Sequence, residues 1–147
     1  MMERFKIEKL NCDLIRTDGK NPPGLYSIEI NEKGERSFSY WRDQSPSKNI
    51  FLGLKGKHLL DNISNSDIFY YSGISAGILD ENQKQQLIKV GATADVCAFD
   101  FNFRHQLHYD KNKSQSLFIE INNYVNINFV SFDDVKDLFK IKKPNEI

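Results

Sequence analysis

The chain has 147 residues, enough for one domain with a real core. Its 39% apolar and 27% charged side chains are the balance of a globular protein rather than a disordered one, and a formal net charge of zero leaves no basic field to gather nucleic acid or acidic lipid. No apolar run approaches the roughly 20 residues of a membrane span, the N-terminal stretch MMERFKIEKLNCDLI lacks the apolar core of a secretion signal, and Cys12 and Cys97 suggest no disulfide framework, so a reducing cytoplasm is expected.

Residues 1–24 are weakly patterned. Ile7 and Leu10, then Leu14 and Ile15, suggest a short helix leading to a strand, and Asn21-Pro22-Pro23-Gly24 enforces a turn. Residues 25–30 alternate, with Tyr26, Ile28 and Ile30 on one face. Asn31 to Glu35 supplies turn residues, Gly34 being free to take φ > 0. Residues 36–42 alternate again, so Phe38, Tyr40 and Arg42 share a face opposite Trp41. Together these predict a β-hairpin. Alone it would be marginal in water, so it must pack on a core, a partner or a ligand.

Residues 43–66 are polar and interrupted by Pro46, Gly53 and Gly56, which predicts short helices only. Asp67 to Tyr71 then reads as a strand buried on both faces, ending in Ser72-Gly73. Asp80 caps a helix, with Gln83 at the reciprocal capping-box position and Gly91 at its end. Val96 to Phe99 is a second buried strand. Ser114 or Ser116 starts a helix whose apolar face is Leu117, Phe118, Ile121, Tyr124 and Val125. Ile127 to Val130 is a third strand. Ser131 and Asp134 cap a last helix with Val135, Leu138 and Phe139 inward, before a charged tail from Lys140 to Ile147. Residues 67–139 therefore read β-α-β-α-β-α, a parallel sheet with right-handed crossovers. Ligands of such sheets bind beyond the carboxyl ends of the strands. The polar residues there are Ser72-Gly73, then Asp100, Asn102 and Arg104, then Ser131.

Two clusters carry candidate chemistry. Tyr40-Trp41-Arg42 offers a hydroxyl, an aromatic face and a guanidinium whose planar fork suits a carboxylate; the alternative is ordinary strand aromatics beside an exposed Arg. Asp100 to Arg104 sits where a parallel strand gives way to a loop, a place for polar-substrate binding or simply for loop polarity. His105 and His108 stand three apart, a spacing open to metal ligation. No acidic or thiol partner stands at matching spacing, and a solvated pair is the expected reading. Cys97 reads as an inert core thiol. Gly53 to Lys57 lacks the spacing of a phosphate loop.

Four segments in order, GLYSIEINEKGERSFSYWR (24–42), YYSGISAGIL (70–79), FDFNFR (99–104) and FVSFDDVKDLF (129–139), resemble the 2-keto-3-deoxygluconate kinases (2-dehydro-3-deoxygluconokinases) of the ribokinase-like, or PfkB, carbohydrate kinase family. The resemblance implies an α/β fold: a partial ribokinase-like parallel sheet flanked by helices, in three layers, plus a β-hairpin lid. It implies phosphate transfer from ATP, with Mg²⁺, to the terminal hydroxyl of a sugar acid. By position, Tyr26, Tyr40 and Arg42 match lid residues that contact the substrate, and Ile74 matches a residue lining the sugar pocket. Asn102 and Arg104 match an Asn-Tyr-Arg motif where the sugar and nucleotide sites meet. Phe103 stands where the family usually has Tyr, His105 where it has Pro, and His108 where it has Trp.

The family's amino-terminal glycine pair and its Gly-Ala-Gly-Asp-type segment, which carries the catalytic Asp and the anion hole, have no counterpart in these residues. The chain is therefore expected to be the central part of a single truncated kinase domain, inactive alone because phosphoryl transfer depends on those groups, and prone to aggregate through uncovered sheet edges. The alternative is a non-catalytic sugar-acid-binding or subunit-association module. Homodimerisation through the lid hairpin, or separate chains that supply the missing parts, are the partners this reading allows; nucleic acid and membrane are not among them.

Overall fold

A computed structural model of the chain describes residues 1–108 and 110–143. The charged tail read from Lys140 onward therefore lies partly outside the described residues. The fold divides into two compact units, Met1–Ile50 and Phe51–Ile147.

The first unit opens with helix α1, Met2–Ile7, and continues irregularly through the segment where a strand was expected. Leu10, Leu14 and Ile15 are too exposed to nucleate one. That segment is tied down instead by the Arg16 guanidinium, which donates to the Asn49 and Ile50 carbonyls. Strands β1, Leu25–Ile30, and β2, Arg36–Trp41, form the expected hairpin, an antiparallel sheet of its own. Its turn closes on Asn31, whose carboxamide oxygen accepts from the Lys33 and Glu35 amides at 3.0 and 2.9 Å. Gly34 takes φ +79°, the left-handed residue such a loop requires. A one-turn 3₁₀ helix over Pro46–Asn49 follows.

The second unit carries α2 (Gly53–Ile63), β3 (Ile68–Ser72), α3 (Gly73–Ile78), α4 (Glu81–Gly91), β4 (Val96–Asp100), α5 (Lys111–Asn122), β5 (Ile127–Phe129) and α6 (Phe132–Phe139). The three strands pair in parallel, in the order β3-β4-β5. The βα alternation is thus realised as read. Asp80 caps α4 by accepting from the Gln83 amide at 2.8 Å, and the Gln83 carboxamide donates back to the Asp80 carboxylate at 2.7 Å. Ser131 caps α6 through the Asp134 amide at 3.1 Å.

Three local expectations are corrected. Gly56 does not interrupt a helix: α2 runs eleven residues through it. A Cβ at Gly56 would lie 2.1 Å from the Phe51 carbonyl carbon and oxygen, so glycine is there for a close backbone approach. Helix α5 begins at Lys111, capped by Asp110, whose carboxylate accepts from the Lys113 amide at 3.1 Å. The serines read as its start instead bond back one turn, Ser114 to the Asp110 carbonyl at 2.7 Å and Ser116 to the Asn112 carbonyl at 3.0 Å. Its apolar face ends at Ile121, because Tyr124 and Val125 lie beyond the helix.

The third correction is to β3, which is buried on one face only. Tyr71 is 4% exposed, whereas Ile68 is 68% and Tyr70 56% exposed. Central β4 does bury successive residues, Cys97, Ala98 and Phe99. Helices α4 and α5 cover one side: a Cβ on Gly91 of α4 would already meet Cys97, Phe69 and Tyr71 at 3.3, 3.4 and 3.5 Å. Phe118 of α5 meets Phe99 edge-on at 5.6 Å. On the other side Ala98 is registered between the larger Tyr70 and Ile127, whose side chains shield it while themselves remaining open.

Candidate functional site

The hairpin brings its candidate residues together. The register pairs Tyr26 with Tyr40 and Ile28 with Phe38, so the apolar faces read separately for each strand are one face of the sheet. The Tyr26 ring lies 6.3 Å from Tyr40 and 6.4 Å from Phe38, and Phe38 stacks on Tyr40 at 6.1 Å. The Arg42 guanidinium carbon sits 4.2 Å from the Tyr40 ring centroid. At that distance the ring quadrupole holds the cation while leaving its N–H edge free to bind. Trp41, on the opposite face beside Leu25, takes no part in this cluster. Gly24 packs against the root of Arg42: a Cβ there would meet the Arg42 Cβ at 2.9 Å.

In the second unit the carboxyl ends of the strands form a rim. Gly73, first residue of α3, abuts β4, since a Cβ on it would lie 2.1 Å from the Phe101 carbonyl oxygen. Ile74 follows it, half-buried. Beyond β4 the backbone of Asn102 takes φ +35°, which asparagine adopts more readily than most residues. The Phe101 amide donates to the Phe129 carbonyl at 2.9 Å, and Arg104 Nη1 donates to the Phe103 carbonyl at 2.8 Å. Ile74, Asn102 and Arg104 thus stand on adjacent strand ends of one unit. Tyr26, Tyr40 and Arg42 belong to the other. Asp100 faces the open side of the sheet, where it accepts the Tyr70 hydroxyl at 2.9 Å; that bond raises the Tyr70 phenol above its ordinary value.

The two histidines are not a solvated pair. His105 is exposed, 3.4 Å from the Asp137 carboxylate. His108 is only 8% exposed, stacked on Phe103 at 5.2 Å and edge-on to Phe118 at 5.3 Å. Its Nε2 lies 3.2 Å from the Gly73 carbonyl oxygen. A carbonyl can only accept, so that nitrogen carries the proton. Sequence spacing missed this because His108 is held by residues distant in the chain. Gly77 of α3 leaves room for the ring: a Cβ there would lie 2.9 Å from the His108 Nε2. Among the described residues no three His, Cys, Asp or Glu side chains gather closely enough to hold a metal ion.

Burial pushes the His108 imidazole below its ordinary value of 6.5; the Gly73 carbonyl favours the protonated ring, while Lys84 and His105 oppose it. The unfolded chain therefore takes up a proton at a pH where the folded chain does not. Stability should be complete above the ordinary value, fall as pH drops below it, and level off once the lowered folded value is passed. Urea midpoints measured from about pH 8 to about pH 5 test this. His108→Phe should flatten part of the decline, and an equal decline in both chains would remove His108 as its cause.

A parallel βα sheet and, in a separate unit, an aromatic, guanidinium-bearing hairpin are the parts expected of a ribokinase-like sugar kinase. The chain belongs to that class: the family described as pfkB family carbohydrate kinase matches residues 1–147. Among curated proteins it is similar to the 2-dehydro-3-deoxygluconokinase of Haemophilus influenzae, 30% identical over 146 residues that cover 97% of this chain and 46% of that protein. The Escherichia coli K12 enzyme of the same name is 28% identical over 138 residues, covering 91% and 45%. The Dickeya dadantii enzyme is 29% identical, covering 91% and 44%. The chain thus spans under half the length of the curated relatives it matches. Among solved structures, apo fructokinase from Vibrio cholerae O395 superposes with a TM-score of 0.69 at 17% identity, over 93% of this chain and 46% of that one. Fructokinase from Xylella fastidiosa gives 0.71 at 20%, over 94% and 44%. At these identities the likeness is one of fold. Among the described residues no helix is long and apolar enough to cross a membrane.

Proposed function

We propose that this chain carries the substrate lid and part of the sugar-binding rim of a kinase acting on a sugar acid of the 2-keto-3-deoxygluconate type. The observation that carries the reading is the Arg42 guanidinium held over the Tyr40 ring, with Tyr26 directly opposite. That arrangement offers a fixed cationic fork to a carboxylate and two phenol hydroxyls to sugar hydroxyls. On the rim, Ile74 would supply an apolar wall and Arg104 donors for the sugar acid, while Asn102 and Arg104 would serve the nucleotide. The similarity to named 2-dehydro-3-deoxygluconokinases supports the choice of substrate.

ATP is the phosphate donor in this reading, and Mg²⁺ would shield its charge. The described residues gather no carboxylate cluster for the metal, and these 147 residues contain no Gly-Ala-Gly-Asp-type segment. In this reading these residues hold the sugar acid rather than supply the catalytic base. The free thiols of Cys12 and Cys97 fit a reducing cytoplasm.

Calorimetric titration of the purified chain with 2-keto-3-deoxygluconate tests the reading. Saturable binding is expected, and Arg42→Ala should weaken it about 10- to 100-fold, the worth of a charge-assisted hydrogen-bonded pair. Equal affinity in the variant would overturn the role of the hairpin. Radiolabelled phosphate passing from ATP to the sugar acid would show that the chain is active alone, against the proposal.

A further inference from the structure

We infer that Asp134 is a positioning residue of the rim: its carboxylate holds the peptide that follows Asn102 and so sets where Asn102 and Arg104 point. The inference rests on the reading of those two residues as ligand contacts, and goes beyond it by assigning a residue outside their motif.

The geometry is specific. Asn102 sits at φ +35°, between two amides that are both tied. The amide before it, Phe101, is held by the sheet ladder to the Phe129 carbonyl at 2.9 Å. The amide after it, Phe103, donates to no backbone group among the described residues; it donates to Asp134 Oδ1 at 2.9 Å. The other carboxylate oxygen, Oδ2, accepts the Ser131 hydroxyl at 2.6 Å, and the Ser131 oxygen accepts the Asp134 amide at 3.1 Å. An acidic or amide residue three positions after a Ser cap commonly turns back to the cap's own backbone. Here one oxygen reaches across to a different strand end. Residue 103 is gripped on both sides, since its carbonyl accepts Arg104 Nη1 at 2.8 Å.

The anchor is itself rigid. Val135 and Leu138 bury α6 against the core. Lys111 donates to the Asp137 carbonyl at 2.8 Å and Gln115 to the Leu138 carbonyl at 2.7 Å, tying α6 to α5. Removing the carboxylate leaves the Phe103 amide without its acceptor and releases Asn102 from a conformation few residues favour.

Solution NMR on the 147-residue chain tests this without any ligand. In Asp134→Ala the Phe103 amide should exchange about tenfold faster, as expected for the loss of a hydrogen bond to a charged group. The HN–Hα coupling of Asn102 should change too, while the Tyr71 and Phe99 amides keep their protection. Asp134→Asn, which keeps an acceptor, should restore both readings. Ser131→Ala removes the helix cap and should lower stability without moving the Asn102 coupling. If Asp134→Ala leaves both readings unchanged, or Ser131→Ala changes the coupling as much, the inference is overturned. Should the alanine variant not fold, the parent chain serves: a through-hydrogen-bond scalar coupling between the Phe103 amide nitrogen and the Asp134 carboxylate carbon is expected, and its absence overturns the inference. A chain that binds no sugar acid would leave these results standing and would remove only the function proposed above.

Discussion

Phe118→Ala should destabilise the chain by about 3–5 kcal/mol. Phe118 is 0% exposed and sits against the aromatic residues of β4 and of the segment that follows it. Its ring meets Phe99 at 5.6 Å, Phe101 at 5.1 Å, Phe103 at 5.9 Å and His108 at 5.3 Å, all edge-on. Truncation removes the transfer energy of the ring and leaves a cavity ringed by other rings, which cannot collapse cheaply because each is held by a strand or a turn. Edge-to-face pairs add about 0.5–1.5 kcal/mol beyond area burial, though such terms do not sum over a shared ring. Against a typical domain stability of about 5–15 kcal/mol, the loss is about a fifth of the total or more. Urea unfolding should show a lower midpoint at an unchanged slope. A loss below about 1 kcal/mol would mean that the cluster does not carry the core, and Phe118→Leu should recover part of the deficit.

Gly73→Ala is the second. Its φ is not in the left-handed region, so space, not conformational freedom, is the issue. The added methyl would lie 2.1 Å from the Phe101 carbonyl oxygen and 2.7 Å from Phe118 Cζ. Phe101 cannot retreat, because its amide is bonded to the Phe129 carbonyl. The alternative is to push α3 outward, which would stretch the His108 contact to the Gly73 carbonyl and displace Ile74. Overpacking of this kind costs about 3 kcal/mol or more when backbone must move. Gly19→Ala is the matched control: nothing lies within 4 Å of the new methyl and its φ is not positive, so it should be neutral or slightly stabilising. Thermal melts of the two variants decide it. Equal melting temperatures would show that β3 and β4 are not locked together at the rim.

The same close approach explains why sequence reading placed the rim but not its support. Ser72-Gly73 was legible as the end of a strand because an apolar run stopped there. That the glycine was required by a carbonyl on the next strand was not, since no local pattern encodes contacts between residues 73 and 101. Likewise Ser131 and Asp134 were read as a helix cap from their spacing, and the cap is there. The second use of the Asp134 carboxylate, on the Phe103 amide, spans 31 positions.

Local physics, then, was enough for much of this protein. Alternation and turn chemistry determined the hairpin, because a two-residue period and a loop with an Asn and a glycine leave little choice of register. The βα alternation and the caps at Asp80 and Ser131 determined the parallel sheet and two of its helices, because caps and periods are written within a few residues. Only the tertiary structure decided that Gly56 continues a helix, that α5 starts at Lys111, that one face of β3 stays open, and that His108 is buried at the Gly73 carbonyl. Each of these depends on what another part of the chain places alongside: a carbonyl that needs room, a hydroxyl that finds an acceptor one turn back, a layer that covers one side of a sheet, an aromatic cluster that excludes water from an imidazole.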